Sequence, residues 1–362
     1  MTTEFSHALP RWSIVVPVIA GLVLAFAWGR TPVLTVVLIV AAALIAAVVA
    51  AVHHAEVVAH RVGEPFGTLI LAVAVTVIEA SLIVSIMISG GPTAPVVARD
   101  SVYAAVMIIL TGIVGLCLLV GGLRHRVTAF RVEGTSPVLA VLSALAVLTL
   151  VVPTHTTTTP GPSFSPAQLA FAGVMSLLLY GVFVFVQTVR HRDYFLPIGV
   201  DDEQSHASAP SVRQAWISFA LLCVSLIAVV GLAKTLAPTI EAAVDTAGLP
   251  AAVIGIAIAL LVLLPETGAA IRAAARNHMQ TSLNLALGSG LAAIGLTIPV
   301  VAVVSIVFDL PLELGLPPKE TVLLAITLLV SALTLGGGTA TVFQGAVHLV
   351  LFAAFLFLAV VP

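Results

Sequence analysis

About eleven stretches of some twenty mostly apolar residues follow one another along this chain of 362 residues. They fall at 12–28, 33–52, 67–89, 101–122, 136–152, 167–188, 214–236, 249–270, 282–307, 320–336 and 340–361. Each is the length of a helix that crosses a bilayer, and in lipid a helix satisfies all of its own backbone groups. The connections carry Gly, Pro and charge: Gly90-Gly91-Pro92, Arg124-His125-Arg126, Pro160-Gly161-Pro162, Pro317-Pro318-Lys319 and Gly336-Gly337-Gly338. The last is so short that the tenth and eleventh spans must form a tight hairpin. The fold expected is all-α, a polytopic membrane protein.

Composition agrees. The chain is 60% hydrophobic and 8% charged, where a soluble domain carries about 25% charged residues. No basic patch with interleaved aromatics occurs, so nucleic acid is excluded as a partner. Cys117 and Cys223 both fall in apolar segments and read as packing residues. Arg11, the apolar run after it and Ala25-Phe26-Ala27 have the outline of a signal peptide. We expect a retained first helix instead, because Arg30 and Pro32 turn the chain directly into a second apolar segment.

The side of the membrane follows from Lys and Arg. Arg11, Arg61, Arg124, Arg126, Arg131, Arg190, Arg192, Arg213, Arg272 and Arg276 fall on the side of the N-terminus; Arg30, Arg99, Lys234 and Lys319 fall on the other. Ten against four places the N-terminus in the cytoplasm and the C-terminus outside. The longest polar segment, 190–213, contains Asp193, Asp201, Asp202, Glu203 and His206. It reads as an acidic cytoplasmic linker, and a charge run in a loop is usually solvated. It separates two sets of five spans. Five is odd, so the second set inserts upside down relative to the first, an inverted-topology repeat. The organisation expected is an N-terminal helix (1–32), a first repeat (33–189), the linker (190–213) and a second repeat (214–362).

Each repeat has one acid inside its second span: Glu79 in AVAVTVIEASLIVS and Glu266 in IALLVLLPETGAA. A carboxylate at that depth costs at least about 2.5 kcal/mol on insertion scales and marks an ion or proton path by default. No Lys or Arg lies in a span interior to pair with either. Thr76 precedes Glu79 by three residues and shares its face. Pro265 removes a backbone N–H just before Glu266 and frees a carbonyl near Leu261. Asn284 and Ser289 are the polar positions of the next span, where Gly288 and Gly290 allow close helix approach. Asp100, Ser101 and Thr111 form a weaker set. Against this stands the ordinary use of a membrane Ser or Thr, which is to bond its own helix four residues back.

Two buried carboxylates facing each other cannot both stay ionised and unpaired, so empty sites take up protons. A divalent cation can replace two protons without net charge. Oxygen-only ligands suit a hard ion such as Ca2+. Na+ or K+ exchange on the same fold is the nearest alternative. The histidines are open to two readings. His53, His54 and His60, near Glu56 and Glu64, have spacing that allows a metal, but interfacial His is common. Gln344 and His348 share a face and either extend a proton path or bond neighbouring helices. A remote alternative is an intramembrane serine hydrolase with Ser289 as nucleophile and His348 as base.

Two segments resemble a known family. GEPFGTLILAVAVTVIEASLIVSIMISGG with ARDSVYAAVMIILTGIVGLCLLVGGLRHR, and LLPETGAAIRAAARNHMQTSLNLALGSGLAAIGLTIP, are similar to the two signature repeats of the bacterial calcium/proton antiporters, within the calcium:cation antiporter superfamily. The resemblance runs from about His53 to the C-terminus. It implies an eleven-helix exchanger of the bacterial inner membrane that moves Ca2+ one way and protons the other, with no resident cofactor. Glu79 and Glu266 match the paired acids; Asn284 and Ser289 match polar positions of the following helix. Plant and yeast members carry Gly-Asn-Ala before each acid, where this chain has Val75-Thr76-Val77-Ile78 and Leu263-Leu264-Pro265. Other oxygens must then complete the cation shell.

Overall fold

The computed structural model describes residues 9–29, 33–63, 66–91, 93–196, 210–250 and 252–361. Arg30, Pro32, Glu64, Pro92, the acidic run at 201–203 and His206 lie outside them. Eleven apolar helices occur among the described residues. They are α1 (Arg11–Ala27), α2 (Leu34–Val62), α3 (Phe66–Ser89), α4 (Val97–His125), α5 (Val132–His155), α6 (Pro166–Arg190), α7 (Val212–Thr246), α8 (Ala252–Ala275), α9 (Met279–Phe308), α10 (Pro318–Leu335) and α11 (Val342–Val360). Ten stretches are long and apolar enough to cross a membrane, and α1 is a shorter apolar helix. Every expected span holds a helix. The ends differ, most of all at α2, which runs to Val62, and at α7, which continues past Pro238 to Thr246. Large apolar side chains such as Phe171, Val182, Leu329, Leu333, Val350 and Phe357 point outward, as lipid-facing residues do.

Two compact units are present: Met1–Leu82 with Asp201–Thr239, and Ile83–Val200 with Ile240–Pro362. In the first, α1 packs on α2. His54 is fully buried, and its Nε2–H donates to the carbonyl of Ser13 at 2.7 Å. A side chain at Gly231 of α7 would stand 2.5 Å from Leu24, so glycine is what lets α7 approach α1.

The second unit is built around α4, whose residues from Asp100 to Val114 are all buried. Small residues explain its central place. A Cβ at Gly122 would lie 2.6 Å from the backbone nitrogen of Val342, and one at Gly345 would lie 2.6 Å from that of Leu119. Gly255 of α8 likewise abuts the backbone of Asp100. A π turn spans Ile108–Ile113 near the middle of α4.

Loops gather at the two ends of this unit alternately. At one end Arg124 and His125 bond the carbonyl of Ala275, and the amide of Arg131 bonds Gln280. There too β1 (Val127–Ala129) pairs antiparallel with β2 (Thr339–Thr341), Val127 opposite Thr341. α10 and α11 pack on each other across this short connection, as the hairpin expected from sequence does. Between α10 and α11 the chain forms a strand, so α11 begins at Val342 and not at residue 340. At the other end the amide of Glu313 bonds Pro95, that of Gly315 bonds Pro162, and that of Leu316 bonds Leu150.

Candidate functional site

Glu79 lies ten residues before the end of α3, about 15 Å along the axis. It is 3% exposed, and Thr76, one turn earlier, is buried beside it on the same helix face as Val75 and Ile78. In the second unit Glu266 lies nine residues before the end of α8, about 14 Å in. It is half-buried. Pro265 remains inside a continuous helix, and the Thr267 hydroxyl donates to the carbonyl of Leu263 at 2.6 Å.

α9 packs along α8. Ser289 lies ten residues from the start of α9, about 15 Å, and so at the depth of Glu266. It is half-buried, and beside it Gly288 faces open space. Gly290, by contrast, is covered by Leu142 and Ile109. Asn284 lies more than a turn nearer the helix start. Its Nδ2 donates to the carbonyl of Phe195 at 2.6 Å, and its Oδ1 accepts from Gln280 at 2.9 Å. Gln280 Oε1 in turn accepts from the amide of Arg131 at 2.7 Å. Asn284 therefore belongs to a bracket that holds three chain segments, and its oxygen keeps one further lone pair. Gln280 was not singled out from sequence, though an amide four residues before another on one helix was a legible signal.

Thr111 bonds Met107 on its own helix. Asp100 is buried and paired with Arg99 at 2.7 Å, and Arg99 also reaches Glu313 at 4.0 Å. His348 is fully buried. Its Nδ1–H donates to the carbonyl of Leu110 at 2.6 Å, and its Nε2 meets the Thr334 hydroxyl at 3.1 Å. Leu110 sits in the π turn, where the wider spacing changes which carbonyls the helix satisfies itself. With both ring nitrogens engaged, His348 has none to offer Ser289, and the hydrolase alternative lacks its base. Gln344 caps the start of α11 through Thr341. Of the histidines on α2, His54 bonds Ser13, and His53 packs its ring 4.9 Å from Trp12. Among the described residues no three His, Cys, Asp or Glu side chains converge on a metal position.

The family model described as sodium/calcium exchanger protein matches residues 32–189 and 217–361. The chain belongs to the sodium/calcium exchanger protein family. It is 47% identical over 365 residues to the putative ionic transporter y4hA of Sinorhizobium fredii, covering 99% of this chain and 98% of that one. It is 35% identical over 351 residues to the sodium-potassium/proton antiporter ChaA of Escherichia coli, covering 95% and 94%. Its fold is that of native YfkE, with a TM-score of 0.73 at 19% identity over 97% of this chain and 98% of that one. As a member of the sodium/calcium exchanger protein family, the chain is a polytopic membrane transporter and not an enzyme.

Proposed function

We propose that the chain exchanges a cation for protons across the bacterial inner membrane by alternating access, with Glu79 and Glu266 each binding cation or protons competitively. The observation that carries this reading is a carboxylate about ten residues inside an apolar helix in each of the two segments that match the family model. Inverted repeats over 33–189 and 214–362 are part of the proposal. Support comes from reciprocal packing: α4 lies against α11 and α6 against α9, the third helix of each half on the fifth of the other. Thr76, Asn284 and Ser289 supply further oxygens. The N-terminus is cytoplasmic and the C-terminus outside. In the second unit Arg124, Arg126, Arg131, Arg190, Arg192, Arg272 and Arg276 fall at one end, against Arg99 and Lys319 at the other.

Ca2+ is the cation we assign, because carboxylate, amide, hydroxyl and carbonyl oxygens suit a hard divalent ion. A second reading, Na+ or K+ for protons, is favoured by the name of the Escherichia coli relative. Proton movement in everted vesicles on adding Ca2+, Na+ or K+ separates them. Collapse of the pH gradient by Ca2+ supports the first reading. Collapse by Na+ or K+ alone replaces it with the second, and no response to any of the three ends both.

A further inference from the structure

α10 is turned inside out relative to a helix of a soluble protein. Its buried residues are Leu324, Thr327, Ser331, Thr334 and Leu335, while Val322, Ile326, Leu329 and Leu333 are exposed. Steps of four and three keep the three hydroxyls on one line, and Glu320, seven residues before Thr327, begins the same line. Small hydroxyl residues are ordinary where membrane helices meet, so alignment alone says only that the helices pack closely.

Two of the three do not bond their own helix. Elsewhere in this chain Thr111, Thr149, Thr267 and Thr321 donate to the carbonyl one turn back. Thr327 and Ser331 are fully buried and make no hydrogen bond. A buried hydroxyl left in that way keeps its donor and acceptor capacity for a partner such as water. The pair differs from other unbonded hydroxyls, such as Ser176 and Thr297, in standing in line between two titratable side chains. Deeper in, Thr334 meets His348. At the start of α10, one oxygen of Glu320 lies 3.2 Å from Lys319, and the other is buried without a hydrogen bond. The hydroxyl of Tyr103 on α4 is also buried and unbonded, within electrostatic reach of Glu320 and Asp100. Nearby, Arg99 lies 2.7 Å from Asp100 and 4.0 Å from Glu313.

We propose that this face of α10 carries a hydrated proton path from Glu320 to His348, about 21 Å along the helix from Glu320 to Thr334, apart from the two membrane glutamates. The inference rests on the proton-coupled reading above. A proton taken up by Glu320 passes through waters that bridge Tyr103, Thr327 and Ser331, each hydroxyl accepting one proton as it donates another. The Thr334 hydroxyl then gives its proton to His348 Nε2 and takes one from the water behind it. His348 becomes a cation with its Nδ1–H still on Leu110, and the reverse steps return the proton. The π turn that holds Leu110 is also packed by α8, the helix of Glu266.

The test uses the full chain in liposomes, with cation-driven proton flux and cation-for-cation exchange measured side by side. Thr327→Val keeps the volume and removes the hydroxyl, Ser331→Ala removes the second, and Thr327→Ser keeps the first. The double variant is expected to lower proton-coupled flux about tenfold and leave cation-for-cation exchange unchanged, with Thr327→Ser at the wild-type rate. Unchanged proton flux in the double variant, or equal loss in both modes, overturns the path. Should the double variant fail to insert, Ser331→Ala alone decides, by the same split between the two modes. Absence of proton movement in the wild type defeats the exchange reading itself; failure of the path leaves wild-type proton flux intact.

Discussion

Glu79 and Glu266 sit at matching depths in their helices, yet those helices are built differently. α3 is uninterrupted around Glu79, which is buried with Thr76. α8 has Pro265 immediately before Glu266, and that acid is half-buried. The following helices differ in the same sense. On α4 a Cβ at Gly112 would meet the Phe352 ring at 3.3 Å, whereas Gly288 on α9 faces open space. One helix pair presents a fixed carboxylate on a complete backbone ladder. The other presents a carboxylate beside a broken ladder and an uncovered glycine. The two segments that match the family model thus each hold an acid inside an apolar helix and differ in the backbone beside it.

The comparison can be broken most directly at the acids. Glu79→Gln and Glu266→Gln are each expected to lower cation-driven proton flux at least about a hundredfold while the protein still elutes as a folded species on size exclusion. Retained flux in either variant would falsify the equivalence of the two acids. A smaller effect is expected at Pro265. Pro265→Ala restores an N–H to the carbonyl of Leu261, so thermal stability rises, and cation affinity falls about tenfold if that carbonyl serves the ion. Titration of transport against cation concentration, beside a melting curve, reads both. The smallest effects separate the two polar residues of α9. Asn284→Ala strips the partners from Gln280 and Phe195 and is expected to cost about 1–3 kcal/mol of stability as well as some affinity. Ser289→Ala is expected to weaken affinity about threefold with the melting temperature unchanged.

Much of this was legible from residue order alone. Twenty-residue apolar runs located every helix, because the bilayer sets their length. The same ruler misjudged the ends. Helices continue into the interfacial layer, so α2 carries His53 to Val62 in helical form beyond its apolar run. The acids were legible because charge in an apolar run is costly wherever it points. The bonds of Asn284 and His348 were not. They depend on Phe195 and Leu110, 89 and 238 positions away in the chain, and no local pattern encodes such a meeting. The ribbon of β1 and β2 was hidden for the same reason, since strands of three residues have too little alternation to be recognised.

That ribbon also sets a clock. Thr128 and Ala340 are 212 positions apart, and ribosomes add about 5–20 residues per second. During synthesis β1 therefore waits about 10–40 seconds for its partner strand. Until then its backbone groups have only water or a chaperone to bond, and an exposed strand edge is a template for wrong pairing. The ribbon cannot close before Thr341 has left the ribosome, and a nascent chain that stalls before Thr339 keeps an open strand edge.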